Sequence, residues 1–543
     1  MRNIFILIKR NFQGILLMLL YAGMLLPGLG YSYVQPTDPV WVQRGIQFYE
    51  AFRHGDFVQT YTKYHPGVIL MWITGISYKI FYAFQEIYLG YVRDLFLYQV
   101  DLYGMYSFIV KFFIGSVIGI VLFYCYSSIK KAFGQNIAFW AVFFIITEPF
   151  VLGNIRSIHV DALAAFFMFA AVLSFSLLQR YPSKSKKYVL LTGLFTGLAL
   201  LTKISSLVLI PFFVVSFIIS SLFLGKCKIV PRFVGILAVA VILFFILFPA
   251  MWVSPLGTIQ KIISDGFLDT ALNEESSRIL FLSWDTVSFR YKYFSYFLQL
   301  IFRMSPGLLL LSVLGLYSLL KGKVFSKRVW KEEKILIFLV NSLVFLLGYY
   351  VMISISDKKI FRYILPMYPF LAILSAYATV TLVPSIKKRF RNFIFLFVSL
   401  LFVIQVLQPI LVYPNFFAYF NPLLGGIDNA SKVISLNQDA TGYYIVGAYL
   451  NKKPTATDIT VGCYDSGPMQ AYFVGNTIKL KLTGLSEDYL ENMDYILLPS
   501  QEGWQYLPEE GFSLEKIFRI NNFDYWYLFR RDSFKIFSLI FLK

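Results

Sequence analysis

Residues 188–224 read YVLLTGLFTGLALLTKISSLVLIPFFVVSFIISSLFL. These thirty-seven residues hold a single charge, Lys203. About 20 apolar residues in an α-helix cross a membrane. The stretch is therefore either two short helices meeting at Thr202-Lys203 or one long kinked helix. The choice sets the side of the membrane on which every later segment lies.

The loops decide it. Basic residues gather at Lys9-Arg10, at Lys130-Lys131, at Arg180 with Lys184, Lys186 and Lys187, at Lys226 with Lys228 and Arg232, from Lys321 to Lys334, and from Lys387 to Arg391. These sets fall on alternate loops only if 188–224 crosses twice. Basic loops collect on the cytoplasmic side. The sequence thus predicts an α-helical polytopic membrane protein of about eleven spans, with the N-terminus inside and the C-terminus outside. The runs are 12–30, 107–127, 136–153, 160–178, 188–202, 204–224, 233–250, 304–320, 335–353, 363–383 and 392–412.

Composition agrees. Of 543 residues, 58% are hydrophobic and 15% charged, against about 25% charged in soluble domains. One large soluble core is excluded because soluble helices keep a polar face, which most of these runs lack. The net charge of +19 would suit nucleic acid, but the basic residues lie in short loops between apolar runs, so no nucleic-acid partner is expected. The N-terminus, with Lys9-Arg10 before an apolar stretch ending near Leu29, also suits a cleaved signal peptide. We read it as a retained first span, since the run is long and a candidate active-site loop follows it. Cys125, Cys227 and Cys463 show no metal-ligand or disulfide spacing.

The opposite side holds the long segments. Residues 31–106 carry Asp38, Glu50, Asp56, His65, Glu86, Asp94 and Asp101. Within them, 66–84 is apolar but rich in Tyr, Trp and Gly, and reads as an interfacial or re-entrant helix. Residues 251–303 form a further acidic and aromatic loop. Composition changes again after Tyr413. Period-two stretches at 478–482, 458–464 and 494–499 suggest strands, and Tyr443 to Asn451 a helix. The division is therefore a transmembrane domain over 1–412 and a small extracytoplasmic α/β domain over 413–543. The apolar stretch 534–543 is too short to span.

Charge is costly within a bilayer, so charges beside spans carry functional hypotheses. Three clusters share the outer side. The first is Gln35-Pro36-Thr37-Asp38-Pro39-Val40-Trp41, followed by Arg44 and Asp56. Asp38 could take a proton as general base, or be a solvated turn residue. The second is Asn154-Ile155-Arg156-Ser157-Ile158-His159-Val160-Asp161. It could bind phosphate, position a base or hold a divalent ion through Asp161 and His159; Asp161 could equally be a first-turn acid. The third joins Lys203 to Lys358, Lys359, Arg362 and Tyr363. Its cations could grip a lipid phosphate or snorkel to headgroups. Lys203 is the harder to dismiss, being inside an apolar run on the side where positive charge is disfavoured.

Together these motifs resemble the GT-C superfamily of polytopic glycosyltransferases, in particular the protein O-mannosyltransferase-like branch, glycosyltransferase family 39, in its prokaryotic members. The matching stretches are TDPVWVQRGIQFYEAFRHGDF from Thr37, YTKYHPGVILMW from Tyr61, NIRSIHVDALAAF from Asn154, LTGLFTGLALLTK from Leu191, FPAMWVSPLGT from Phe248, DKKIFRYILPMYP from Asp357 and YPNFFAYFNPLLGG from Tyr413. The resemblance implies a polyprenyl-phosphate-linked sugar donor, an extracytoplasmic acceptor hydroxyl on protein, lipid or glycan, and transfer with inversion. By resemblance Asp38 is the base and Asp161 the second acid, a metal or acceptor-side residue in relatives. Arg156, Lys203 and Arg362 would face the donor phosphate, with His65, His159 and Tyr363 in positioning roles. One departure stands out: the family's usual Asp-Glu pair ahead of the aromatic is here Thr37-Asp38. Two rival classes share the spans. A lipid-linked sugar flippase would line a mid-membrane cavity with its charges, and a secondary transporter would show repeats and broken helices, neither of which is visible in the sequence.

Overall fold

The computed structural model describes residues 2–31, 36–90, 100–224, 229–268, 289–321, 335–355, 359–385, 388–434, 436, 440–480, 490, 492–500 and 511–532. Cys227, Lys358 and the segment 534–543 lie outside the described residues.

All the apolar runs named above are largely helical. In chain order the first ten helices are α1 (Arg2–Leu25), α2 (Asp38–Arg53), α3 (Val68–Phe84), α4 (Val100–Phe133), α5 (Gln135–Ile146), α6 (Pro149–Ile155), α7 (Val160–Arg180), α8 (Ser185–Thr202), α9 (Leu209–Leu224) and α10 (Ile229–Leu247). Among the described residues, seven helices are long and apolar enough to cross a membrane, or eight if the bent pair α5–α6 is one span. Three shorter apolar helices, Asn11–Leu25, Pro306–Lys321 and Leu396–Val412, join them. The chain is an integral membrane protein.

The bundle is built round α7, whose residues from Val160 to Gln179 are all buried. Its alanines at 162, 164, 165, 170 and 171 let neighbouring helices approach, as packing in lipid requires. Helix α8 uses glycine for the same purpose. A Cβ on Gly193 would lie 2.8 Å from the Ile236 carbonyl oxygen of α10, and one on Gly197 3.1 Å from that of Ala240.

Two contacts show how α8 runs. Near its start, Tyr188 meets the Lys131 ammonium, which also sits over the Tyr181 ring at 4.3 Å. Just past its end, Lys203 meets Asp161 in the first turn of α7. Helix α8 thus covers the full height of α7. Helix α9 then returns, since Gln179 at the far end of α7 bonds the Ser220 hydroxyl at 2.8 Å. Helix α8 is not among the helices that pass the length-and-hydropathy criterion, because Lys186 and Lys187 open it.

Helix α3 does pass that criterion, as part of Val68–Tyr88. Yet both of its halves touch the bundle end where α7 starts. Thr74 O in the first half accepts from Tyr106 in the early turns of α4 at 3.0 Å, and Phe81 in the second half meets the Tyr106 ring at 5.6 Å.

Helices α5 and α6 meet at a 68° bend. Pro149 occupies the first turn of α6, where its missing N–H costs nothing. Glu148, at the bend, is buried and held by Ser305, whose amide and hydroxyl lie 3.1 and 2.6 Å from its oxygens.

The C-terminal domain is a five-stranded mixed sheet with short helices. Strands β1 (Thr460–Cys463), β2 (Asn476–Lys479), β3 (Tyr495–Pro499), β4 (Phe512–Ile520) and β5 (Phe523–Arg531) lie in the order β2-β1-β3-β5-β4. β1 pairs parallel with β2 and β3, and β5 antiparallel with β3 and β4. The β4–β5 hairpin, absent from the strands expected above, turns at Asn521 and Asn522 with φ of 53° and 65°, the two-residue turn that matches strand twist. The domain docks on the α7-start end of the bundle. There the Arg303 guanidinium donates to Phe417 O at 3.2 Å and Leu436 O at 3.4 Å.

Candidate active site

The site forms where α7 begins, α8 ends and α2 begins. His159 is extended (φ −143°) and caps α7, its Nδ1 3.4 Å from the Asp161 amide. That places Asp161 in the first turn, where the helix dipole favours an anion. Lys203, also extended (φ −152°), ends α8 and turns its side chain toward the start of α7.

The geometry is compact. Lys203 Nζ lies 2.5 Å from Asp161 Oδ1. His159 Nδ1 lies 2.9 Å and Arg362 Nε 3.4 Å from Asp161 Oδ2. The ammonium of Lys203 also sits 4.1 Å from the centre of the Tyr363 ring. Arg362 Nη1 reaches Thr37 Oγ1 at 3.5 Å, so one guanidinium touches both the second and the first motif. Beside it, Asp38 is fully buried at the first position of α2, and its Oδ1 accepts from the Ile158 amide at 3.2 Å. Four elements distant in sequence therefore meet within a few bonds of one another.

Burial pushes the His159 imidazole down to about 4; Asp161 pulls it up, while Arg362 and Lys203 push it further down. The ring is neutral at pH 7. The Asp161 carboxylate therefore faces two cations, Lys203 and Arg362, whose remaining N–H groups can bond to an anion.

Trp41, one turn into α2, meets the His159 ring edge-on at 5.9 Å. Arg44 stacks over Trp41 at 4.9 Å. Gly67 makes this fit possible: its φ is +60°, and a Cβ there would lie 2.3 Å from the Trp41 ring. On the far side of Arg44 is a polar cavity of about 620 Å³ lined by Val40, Gln43, Arg44, Gln47, Gln59, Tyr61 and Thr62. The Tyr61 hydroxyl donates to Asp265 at 2.8 Å, tying this loop to the segment after α10.

Comparison with known proteins gives this arrangement a family context. Residues 100–252 match the dolichyl-phosphate-mannose-protein mannosyltransferase family. ArnT from Cupriavidus metallidurans in the apo state superposes with a TM-score of 0.50 at 13% identity, over 95% of this chain and 97% of that one. The chain has the GT-C glycosyltransferase fold. The same ArnT bound to undecaprenyl phosphate gives 0.49 at 13% identity, over 96% and 98% of the two chains. The oligosaccharyltransferase AglB from Archaeoglobus fulgidus, in complex with an inhibitory peptide and a dolichol-phosphate, gives 0.48 at 11%, over 91% and 70%. No curated protein sequence matches the chain significantly.

Within this GT-C fold the residues singled out from sequence fall into two sets. Asp161, Lys203, Arg362, His159 and Tyr363 form one contact group, with Asp38 joined to it through Ile158. Arg156, His65 and Lys359 make other contacts. Arg156 donates to Leu25 O and, at 2.7 Å, to Pro27 O at the end of α1, and faces the rings of Tyr413 and Phe416. His65 packs its ring 4.3 Å from that of Tyr64. Lys359 donates to the carbonyls of Ile353 and Ser354.

Several buried polar groups escaped the sequence reading. Lys111 and Glu148 interrupt the apolar runs 107–127 and 136–153, a signal available from charge within a span alone. Arg303, Tyr103 and Tyr472 carried no such signal, because a tyrosine or arginine near an interface is ordinary.

The donor set does not suit a divalent ion. Both Asp161 oxygens face cations, and among the described residues no group of three or more His, Cys, Asp and Glu side chains could hold a metal.

Proposed function

We propose that this protein transfers a sugar from a polyprenyl-phosphate donor to an acceptor hydroxyl on the extracytoplasmic face of the membrane, with Asp38 as general base. One observation carries the reading: the Arg362 guanidinium bridges Asp161 and Thr37, beside Lys203 and one residue from Asp38. A cationic site and a carboxylate thus adjoin at one end of a GT-C bundle. The match of 100–252 to a family named for a dolichyl-phosphate-mannose donor supports the lipid-phosphate class.

Each part has a chemical task. The polyprenyl tail lies among the apolar helices. Lys203 and Arg362 neutralise the donor phosphate and take up the charge that grows on it as the bond to the sugar breaks. Asp38 accepts the acceptor's hydroxyl proton. The acceptor oxygen bonds to the anomeric carbon from the face opposite the phosphate, and the bonding pair leaves with the phosphate oxygen. The products are an inverted glycoside, polyprenyl phosphate and protonated Asp38, which returns its proton to water. Asp161 holds the two cations in place, and no step runs through a metal. The cavity beside Arg44, within the range of small-molecule pockets and rich in carboxamides, suits the hydroxyls of a sugar.

Orientation follows from charge. Lys130, Lys131 and Lys184 lie at the end of the bundle opposite Asp38, and the positive-inside rule puts that end in the cytoplasm. The deciding assay gives the purified full-length protein a panel of radiolabelled polyprenyl-phosphate hexoses with membrane extract as acceptor. Label moving to the acceptor is expected. Label crossing the bilayer of proteoliposomes while still attached to lipid would instead mark a flippase.

A further inference from the structure

The C-terminal domain reaches Asp38. Its short helix Ser466–Gln470 packs on the start of α2, with Pro39 Cγ 3.8 Å from where a Gly467 Cβ would stand. Two residues beyond that helix, Tyr472 is buried, and its hydroxyl has no hydrogen-bond partner among the described residues. The Tyr472 backbone is firmly seated: its carbonyl accepts from Asn451 at 2.9 Å, and Gly447 lets the helix Tyr443–Leu450 press against it. From the bundle side, Tyr103 of α4 packs against the C-terminal core, and its buried hydroxyl also has no partner among the described residues. The Asp38 charge acts on both hydroxyls, and Tyr472 acts on Tyr103. Lys111, buried in α4, feels the same carboxylate and also Arg156.

Buried hydroxyls are nearly always paired, since leaving one unpaired costs free energy. Two such hydroxyls at one packed cluster beside the start of α2, from elements more than 350 residues apart in the sequence, need a common explanation. Helix packing does not supply it, because phenylalanine would fill the same volume without the polar atom. A ligand that brings hydrogen-bonding oxygens to Asp38 does.

We propose that the C-terminal domain completes the active site: Tyr472 and Tyr103 are acceptor-binding residues whose hydroxyls hold the hydroxyl-bearing end of the acceptor against Asp38. This rests on the reading of Asp38 as base. The acceptor oxygen loses its proton to Asp38 while the tyrosine hydroxyls bond to it and to its neighbouring oxygens. They fix the angle of attack and transfer no proton. Asp38 is met by the start of α7 on the bundle side, through the Ile158 amide, and the Ser466–Gln470 helix packs beside it on the other. Only the latter lies outside the apolar bundle, so the acceptor enters along that seam.

The test uses Tyr472→Phe, Tyr103→Phe and Asp38→Asn in the full-length protein. Readouts are thermal unfolding in detergent, binding of labelled polyprenyl-phosphate hexoses, and transfer of label to membrane extract over a range of acceptor concentrations. Each phenylalanine variant should unfold at the wild-type temperature or slightly above, because the lost hydroxyl has no partner among the described residues. Donor binding should be unchanged. Transfer at low acceptor should fall about 10- to 100-fold, the effect of one hydrogen bond to a charged or developing group. A lower unfolding temperature in either variant would show that its hydroxyl is structural and overturn the inference. Normal transfer by both phenylalanine variants alongside a silent Asp38→Asn would also overturn it, leaving the base reading intact. Normal transfer by Asp38→Asn would remove the base reading instead.

Discussion

Lys203 Nζ lies 2.5 Å from Asp161 Oδ1, joining the end of α8 to the first turn of α7 inside a buried site. Removing one member of a buried pair strands the other charge, typically at a cost of about 3–5 kcal/mol. Lys203→Met should therefore destabilise, although Arg362 still faces Asp161. The double variant Asp161→Asn with Lys203→Met should recover part of that loss, because the carboxylate left with one cation fewer is gone. Thermal unfolding of the four proteins gives the coupling. Strictly additive losses would show that the pair is not energetically joined.

Asp38→Asn should keep the fold, since the carboxamide oxygen can still accept from the Ile158 amide. Its transfer rate should fall by about 10²–10⁴-fold, the usual share of a general base. Thr37→Ala should lose far less. Turnover by Asp38→Asn near the wild-type rate would direct attention to Asp161 or Asp56.

Arg362 has a planar fork and Lys a point charge. Arg362→Gln should weaken donor binding by about 1.5–3 kcal/mol, the range for a hydrogen bond to a charged group, and Arg362→Lys should restore only part of it. Titration with a labelled polyprenyl-phosphate hexose measures both. Unchanged affinity in Arg362→Gln would take the residue out of the donor site.

In the C-terminal domain, Glu515 accepts from Lys453 and Tyr449, each at 2.7 Å, and from Tyr495 at 3.2 Å. Burial raises its carboxyl, but the bonds from Lys453 and Tyr449 outweigh that and hold it below the ordinary carboxylate range. A lowered carboxyl contributes stability above its ordinary value of about 4.3, and that contribution is lost as pH falls through the lowered value. The wild type should thus lose thermal stability on acidification below about pH 4.3 more steeply than Glu515→Gln. Parallel curves would refute the assignment. Lys453 is shifted upward by Glu515 against the opposing effect of its burial, so its share persists until strongly alkaline pH.

Orientation can be read with single introduced cysteines at exposed positions. Thr457→Cys lies in the C-terminal domain and Gln135→Cys at the opposite end of the bundle. An impermeant maleimide on intact cells should label the first and spare the second until the membrane is opened. The reverse pattern would invert the topology. Native Cys463 is buried and unsuited to this purpose.

Much of the bundle is legible in the sequence because lipid imposes a simple rule. Every backbone group must be satisfied within the span, so long apolar runs become helices whatever surrounds them. The site was legible only in pieces. Asp161 and Lys203 each stood out as charges beside apolar runs, but forty-two residues separate them. Their pairing depends on α7 and α8 running antiparallel at equal height. Arg156 looked equivalent to Lys203 on the same reasoning, yet the fold turns it toward the carbonyls at the end of α1. The β4–β5 hairpin was missed because both strands carry charges and β5 buries adjacent residues, Tyr525-Trp526 and Leu528-Phe529, which breaks the alternation that marks a half-buried strand.

By itself the sequence determined the class of the protein, the positions of its apolar helices, and the short motifs that hold its charges. These are consequences of local composition: transfer into lipid is governed by some twenty residues at a time. Only the tertiary structure decided which charges meet. It set Arg362 between Asp161 and Thr37, placed Asp38 against the Ile158 amide, and packed Gly467 of the C-terminal domain on Pro39 beside that carboxylate. Those contacts join residues up to 428 positions apart. They depend on helix packing at glycine and alanine surfaces such as Gly193, Gly197 and the buried face of α7, and no single window of sequence contains that information.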